Sequence, residues 1–223
     1  MPSTNANYES VDDLPGALPV FPLTGALLLP RAQLPLNIFE PRYLAMVDSA
    51  LAGERLIGMV QPSFSGYGDP VGNLCKVGCA GRIVSFTETG DGRYLITLGG
   101  ISRFSIAKEL ETTTLFRQVV PDWTTHAKDL SELQNKEDVD REKLLETLET
   151  YLQANDLEAN WNGIQEADTE LIVNALSIMS PFGEAEKQAL LEANTLKERA
   201  DILVAITEFS LVQNQTGGDA ILQ

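Results

Sequence analysis

Four prolines, Pro19, Pro22, Pro30 and Pro35, interrupt the aliphatic stretch LPVFPLTGALLLPRAQLPLNIFEPRY at residues 18–43, an alternation few folds tolerate. Proline has no backbone N–H, so each must stand at a strand start, an edge or a corner rather than inside a continuous ladder. The segment therefore predicts short, bent strands in quick succession. Between the prolines, Val20-Phe21, Ala26 to Leu29 and Leu34 to Phe39 supply apolar runs suited to the core of a small barrel or sandwich. Pro41 fits the first turn of a helix in which Tyr43, Met46, Val47, Ala50 and Leu51 share one face, with Gly53 placed to stop it.

Alternating patterns predict further strands at 55–60, 74–88, 93–98, 101–110 and 115–120, with Gly90-Asp91-Gly92 as a hairpin turn. From Pro121 to Glu137 the pattern lapses into polar residues, and helical periodicity follows. Leu144, Leu145, Leu148, Tyr151 and Leu152 form one stripe, and Ile172, Ala175, Leu176 and Met179 form another that Pro181 ends. A short helix is predicted over 184–193. Thr195 and Glu198 have capping-box spacing for a last helix whose Ile202, Leu203, Ile206 and Phe209 are expected to face inward. Residues 1–16 read as disordered and 213–223 as a flexible tail.

The chain of 223 residues has a net charge of −16, and the acid is unevenly placed. Nine Lys/Arg oppose eleven Asp/Glu in residues 1–121, whereas seven oppose twenty-one in residues 122–223. An acidic helical surface repels the phosphates that dominate nucleic-acid affinity, so nucleic acid is a disfavoured partner. Cys75 and Cys79 would stand about 13 Å apart in an extended strand, too far for a disulfide or a shared metal. With His126 as the sole histidine, no metal site is expected, nor any cofactor. No Gly-Lys pair is present for a phosphate-cradling loop, and no serine occupies a Gly-x-Ser-x-Gly elbow. The N-terminal residues lack the basic flank and apolar core of a signal peptide, and no apolar run approaches the roughly 20 residues that span a bilayer. The expected location is cytoplasmic, without a membrane partner.

The order LPVFPL, LLLP, LPLNIFEPRY, then a short helix ending at Ala52-Gly53, then LIGMV, closely resembles the opening of the Lon protease N-terminal domain. CKVGCAGRIVSFTETGDGRYLITLGGISRFSIAKEL is similar to that family's central hairpin and following strands, and LSIMSPFGEAEKQALLEANTLKERADIL to its helical second half. The resemblance implies an α+β fold: a PUA-like β pseudo-barrel with an inserted helix at residues 17–121, followed by an α-helical bundle at 122–212. It also implies a role in engaging protein substrates. The family's ATPase and protease parts have no counterpart in these residues, so no catalytic residue carries over, and the chain resembles the N-terminal domain occurring on its own.

A non-catalytic module that binds unfolded or partly folded proteins is thus the leading expectation, as an adaptor or substrate discriminator for a separate protease. Two alternatives stand beside it. A small-molecule hydrolase would need a buried, positioned polar cluster, which the outward-facing carboxylates of the helices do not supply. RNA binding, found in other PUA-like domains, would need a basic patch and exposed stacking aromatics. For peptide contact the candidates are Phe64 and Tyr67, aromatics in the Gly/Ser/Pro-rich loop PSFSGYGDPVGN, together with Glu40 and Arg42 flanking Pro41. The opposing reading is that the two rings fold back on the barrel and that Glu40 and Arg42 make a capping residue and a surface ion pair. Oligomeric state is not legible here.

Overall fold

Pro22 ends a strand and Pro30 stands in a turn, whereas Pro19 and Pro35, expected at strand starts, edges or corners, lie within strands opposite Gln118 and Thr97, Pro35 on an edge strand. In the computed structural model, which describes residues 8–63, 73–131, 138–154 and 161–218, β1 (Leu18–Pro22) ends on one proline and Pro30 precedes a bend. Pro35 lies within β2 (Gln33–Ile38). The chain continues through α1 (Pro41–Ala52), β3 (Leu56–Val60), β4 (Val77–Glu88), β5 (Tyr94–Leu110) and β6 (Arg117–Asp122). Among the described residues the six strands are ordered β2-β5-β4-β3-β1-β6, and a further β5–β6 pairing closes all but β2 into a ring. β1 and β3 run parallel, and the remaining pairs are antiparallel.

This ring depends on β5, which is one 17-residue strand where the sequence predicts two. Gly99 and Gly100 look like a break. Instead the ladder with β4 shifts register there, so that Gly81 faces Gly100 while Ala80 faces Ser102. One extra residue bends and twists a strand without ending it. The N-terminal half of β5 can then pair with β2, and the C-terminal half with β6.

Phe104, Leu18, Leu56, Val119 and Trp123 meet in the barrel core. A Cβ at Gly58 or Gly78 would come within 2.8 Å of the Phe104 ring, so glycine at these places leaves room for the ring. Residues 8–16, read as disordered, are instead ordered. Leu14 is buried in this core, the Trp123 indole N–H donates to the Pro15 carbonyl (3.0 Å), and Arg82 donates to the Tyr8 hydroxyl (3.0 Å). A short apolar and aromatic content suffices to dock a segment when it has a core to reach.

After β6 a 3-10 helix, Thr124–Leu130, presents Asp129 to β5. The Arg103 guanidinium donates through Nε (2.8 Å) and Nη2 (2.9 Å) to the two carboxylate oxygens, and the Arg103 backbone N–H adds a third bond at 3.0 Å. Both side chains are almost fully buried. Burial pushes the Asp129 carboxyl up, but the hydrogen bonds and charge of Arg103 outweigh it and hold it below the ordinary aspartate value. The Asp129 carbonyl in turn accepts from Arg31 Nη1 at 2.7 Å.

By packing, the chain divides into a β unit, Met1–Glu132 with Phe182–Leu191, and a helical unit, Leu133–Pro181 with Glu192–Gln223. This division by packing is not the one into 17–121 and 122–212 that the resemblance implies, because α5 (Glu184–Glu192) groups largely with the sheet. Its attachment is polar. Lys187 Nζ donates to the Gly25 carbonyl (2.9 Å), Gln188 Nε2 to the Val77 carbonyl (3.1 Å), and Arg103 Nη1 to the Leu191 carbonyl (3.0 Å).

In the helical unit, α2 (Arg141–Ala154), α4 (Thr169–Met179) and α6 (Leu196–Gly218) fall near their predicted places, while α3 (Trp161–Glu166) is a short helix the sequence patterns do not predict. The Asp168 carboxylate caps α4 by accepting from the Glu170 N–H (3.0 Å), and the Glu198 N–H donates to Thr195 Oγ1 (3.1 Å). Two inward-facing assignments change. Met179 is 81% exposed and Phe209 60% exposed, while Val173 and Ser177 on α4 and Val204 and Thr207 on α6 are buried. Helix α6 also runs past 212, through Gly218. The architecture is α+β, as expected.

Candidate functional site

Phe64 and Tyr67 lie outside the described residues. Glu40 and Arg42 do not, and the structure brings them together. Pro41 opens α1, fixing the backbone so that both side chains leave the same turn. Arg42 Nη2 stands 2.8 Å from Glu40 Oε2, with both side chains about half exposed, and the guanidinium lies 4.5 Å over the Tyr43 ring. Glu40 makes no side-chain cap hydrogen bond, so its contact is the ion pair. Tyr43 packs its own ring on Phe21 at 4.1 Å, and burial pushes its phenol above the ordinary value while the Arg42 charge works against that rise. Exposed pairs of this kind contribute little to stability.

Next to that turn the sheet carries exposed apolar side chains. Along β2 the odd-numbered residues point outward, and Phe39 continues the alternation just past the strand, 60% exposed. The Arg93 guanidinium sits 6.0 Å from its ring. Across the same outward face lie Leu95 of β5, paired with Asn37, and Val84 of β4, whose methyl would touch a Cβ at Gly99. These two side chains are 47% and 52% exposed. The opposite face of the same strands carries Phe86 and Tyr94, stacked edge to face at 5.0 Å, with the Tyr94 hydroxyl donating to Asp48 Oδ1 (3.1 Å). That hydrogen bond, more than burial, pushes the Tyr94 phenol up.

Among the described residues no group of three or more His, Cys, Asp or Glu side chains could hold a metal ion, and no helix is long and apolar enough to cross a membrane. Cys75 and Cys79 are buried, their thiols donating to the Pro62 carbonyl (3.6 Å) and the Ala80 carbonyl (3.7 Å).

Residues 17–208 match the family profile of the ATP-dependent protease La (LON) substrate-binding domain. The chain belongs to this family. Over 92% of its length it is 28% identical to the Lon protease of Parabacteroides distasonis, and over 86% it is 25% identical to the Lon protease of Dictyoglomus thermophilum. It spans only about a quarter of these relatives, 25% and 24% of their lengths. Two solved structures share the fold. A Lon N-terminal domain protein from Xanthomonas campestris superposes with a TM-score of 0.60 at 22% identity, covering 85% of this chain and 97% of that one. The N-terminal domain of the Mycobacterium avium complex Lon protease gives 0.59 at 20% identity, covering 86% and 98%.

Sequence reasoning named Glu40 and Arg42, which the structure joins as an ion pair, and counted Phe39, here exposed, as core at the end of an apolar run. The signal was present in the period-two alternation of QLPLNIF, which sets Phe39 on the face of Gln33, Pro35 and Asn37 rather than with Ile38.

Proposed function

We propose that this Lon-type substrate-binding domain is a non-catalytic, cytoplasmic module that binds unfolded or partly folded polypeptides through its β unit, for unfolding and cleavage carried out by other protein domains. The observation that supports this most is the family match over residues 17–208, which includes all six strands of the β unit. The exposed apolar side chains Phe39, Leu95 and Val84 agree with it, since such groups suit contact with apolar segments that native proteins bury. The loop aromatics Phe64 and Tyr67 are proposed as further contacts on sequence grounds. Binding is weak because ordering a disordered segment offsets much of what burial contributes.

The test is a fluorescence titration of labelled α-lactalbumin, reduced and alkylated to keep it unfolded, against its native form. Saturable binding of the unfolded form only is the expected result. Equal binding of both forms, or none at high micromolar concentration, refutes the reading. A Phe64→Ala/Tyr67→Ala double variant should bind more weakly with its fold unchanged, and unaltered binding removes the loop from the site.

A further inference from the structure

The backbone bonds around β2 fix which of its peptide groups are committed to the sheet. The Arg31 N–H donates to the Gly100 carbonyl (2.9 Å) and the Gly100 N–H to the Ala32 carbonyl (2.8 Å), with Arg31 at φ 65. That is a bulge, and it directs the peptide groups of Ala32 toward β5. Peptide groups alternate sides along a strand, so Leu34, Leu36 and Ile38 also face β5. The other end of the ladder agrees. The Thr89 N–H donates to the Arg93 carbonyl, so the odd residues of this half of β5 face β4 and its even residues, 94, 96 and 98, face their partners Ile38, Leu36 and Leu34. The peptide groups of Gln33, Pro35 and Asn37 consequently point away from the sheet, along an edge that no strand covers among the described residues. Pro35 stands where its missing N–H costs the ladder nothing.

We infer that this outer edge of β2 takes an extended, neutral, apolar segment of a non-native polypeptide as an added strand, with alternate side chains of that segment lying beside Phe39. The inference rests on the substrate-binding reading above and says how the polypeptide is held. Backbone pairing recognises any extended chain, whatever its sequence. Charge matches this occupant. The outward-facing residues Gln33, Pro35, Asn37, Leu95 and Thr97 are uncharged, in a chain of net charge −16, and the charged neighbour Arg93 lies over the Phe39 ring at 6.0 Å, so a charged segment would find no row of opposite charge along this edge. Pro35 limits the edge to the donors of Gln33 and Asn37. A strand with one donor removed binds reversibly and does not template a continuous intermolecular sheet.

The probe is a capped ten-residue peptide of alternating valine and threonine, compared with the same peptide N-methylated at every residue, which blocks both edges and leaves the side chains. Asn37→Pro removes an outward donor without removing a ladder bond, and Pro35→Val adds one. One neutral hydrogen bond corresponds to about three- to tenfold in affinity. Asn37→Pro should weaken binding of the unmethylated peptide by that factor, Pro35→Val should tighten it by a similar one, and the methylated peptide should not bind. Affinity should change little between low and high salt. Should Asn37→Pro lose its fold by circular dichroism, Pro35→Val and the methylated peptide still decide. Methylated peptide binding as well as unmethylated, or Pro35→Val matching the wild type, overturns the edge. If alkylated α-lactalbumin still binds in that case, the substrate-binding reading stands without it; if neither probe binds the wild type, both are wrong.

Discussion

In the β unit a guanidinium and a carboxylate, Arg103 and Asp129, are nearly excluded from solvent and joined by two parallel bonds. In the helical unit the buried guanidinium of Arg199 meets the neutral amide of Asn174 at 3.2 Å. The β unit closes its strands into a ring around Phe104. The helical unit keeps a cleft of about 230 Å³ between α2 and α6, lined by Leu144, Val204 and Asp201 and crossed by the Lys143–Glu208 pair at 3.4 Å. A ring with a buried charge pair tolerates little change at its centre, because either partner alone is an uncompensated charge. Helices packed on amphipathic stripes, whose apolar side chains can re-pack, tolerate more.

The comparison is tested hardest at Asp129. Asp129→Ala should cost about 3–5 kcal/mol by urea denaturation followed through tryptophan fluorescence, since it leaves Arg103 buried beside the Leu191 carbonyl without its carboxylate. Asn174→Ala in the helical unit should cost about 1–3 kcal/mol. Equal costs would erase the distinction. The same carboxyl carries a pH signature. Because its folded value lies below the ordinary 3.8, its stabilisation is complete above about pH 5 and is lost as pH falls through 3.8 and below. Asp129→Asn should therefore flatten the acid limb of the stability curve.

Gly100→Ala comes next. Its methyl would run into the Leu29 carbonyl, where the β2 bulge meets β5, and such overpacking costs about 1–3 kcal/mol. A wild-type melting temperature would show that the two strands part there without strain. The smallest effect belongs to Phe209→Gln. With its ring 60% exposed, the change should stay within about 0.5 kcal/mol, and a loss several times larger would restore the inward assignment of that residue.

Most strand and helix positions were legible because period-two and three-four patterns survive in single sequences. Burial of polar groups was not. On α4 the buried face includes Glu170, Val173, Asn174 and Ser177, and Ser177 satisfies itself on the Val173 carbonyl at 2.7 Å while Asn174 meets Arg199. Hydrophobic periodicity has no means of seeing a polar residue whose partner lies 25 positions away. The same blindness hid Gln188, fully buried against Gln61 and the Val77 carbonyl, and with it the attachment of α5 to the sheet. The outward face of β2 was legible in principle, through Pro35 and the alternation around it. The register that turns that alternation into a free edge depends on the bulge at Arg31, an arginine in a left-handed conformation that sequence alone rarely betrays.

Helix α5 gives the β unit an unusual place in time. Chains are made from the N-terminus, and domains generally fold as units when their last residue is available. Here the barrel's strands are complete by Asp122, yet the carbonyls of Gly25 and Val77 and one nitrogen of Arg103 wait for Lys187, Gln188 and Leu191. Helices α2 to α4 are synthesised in that interval. The first-made half of the molecule is thus the one whose polar groups are satisfied last, and a nascent chain stopped at Glu132 would carry all six strands with those bonds still unmade.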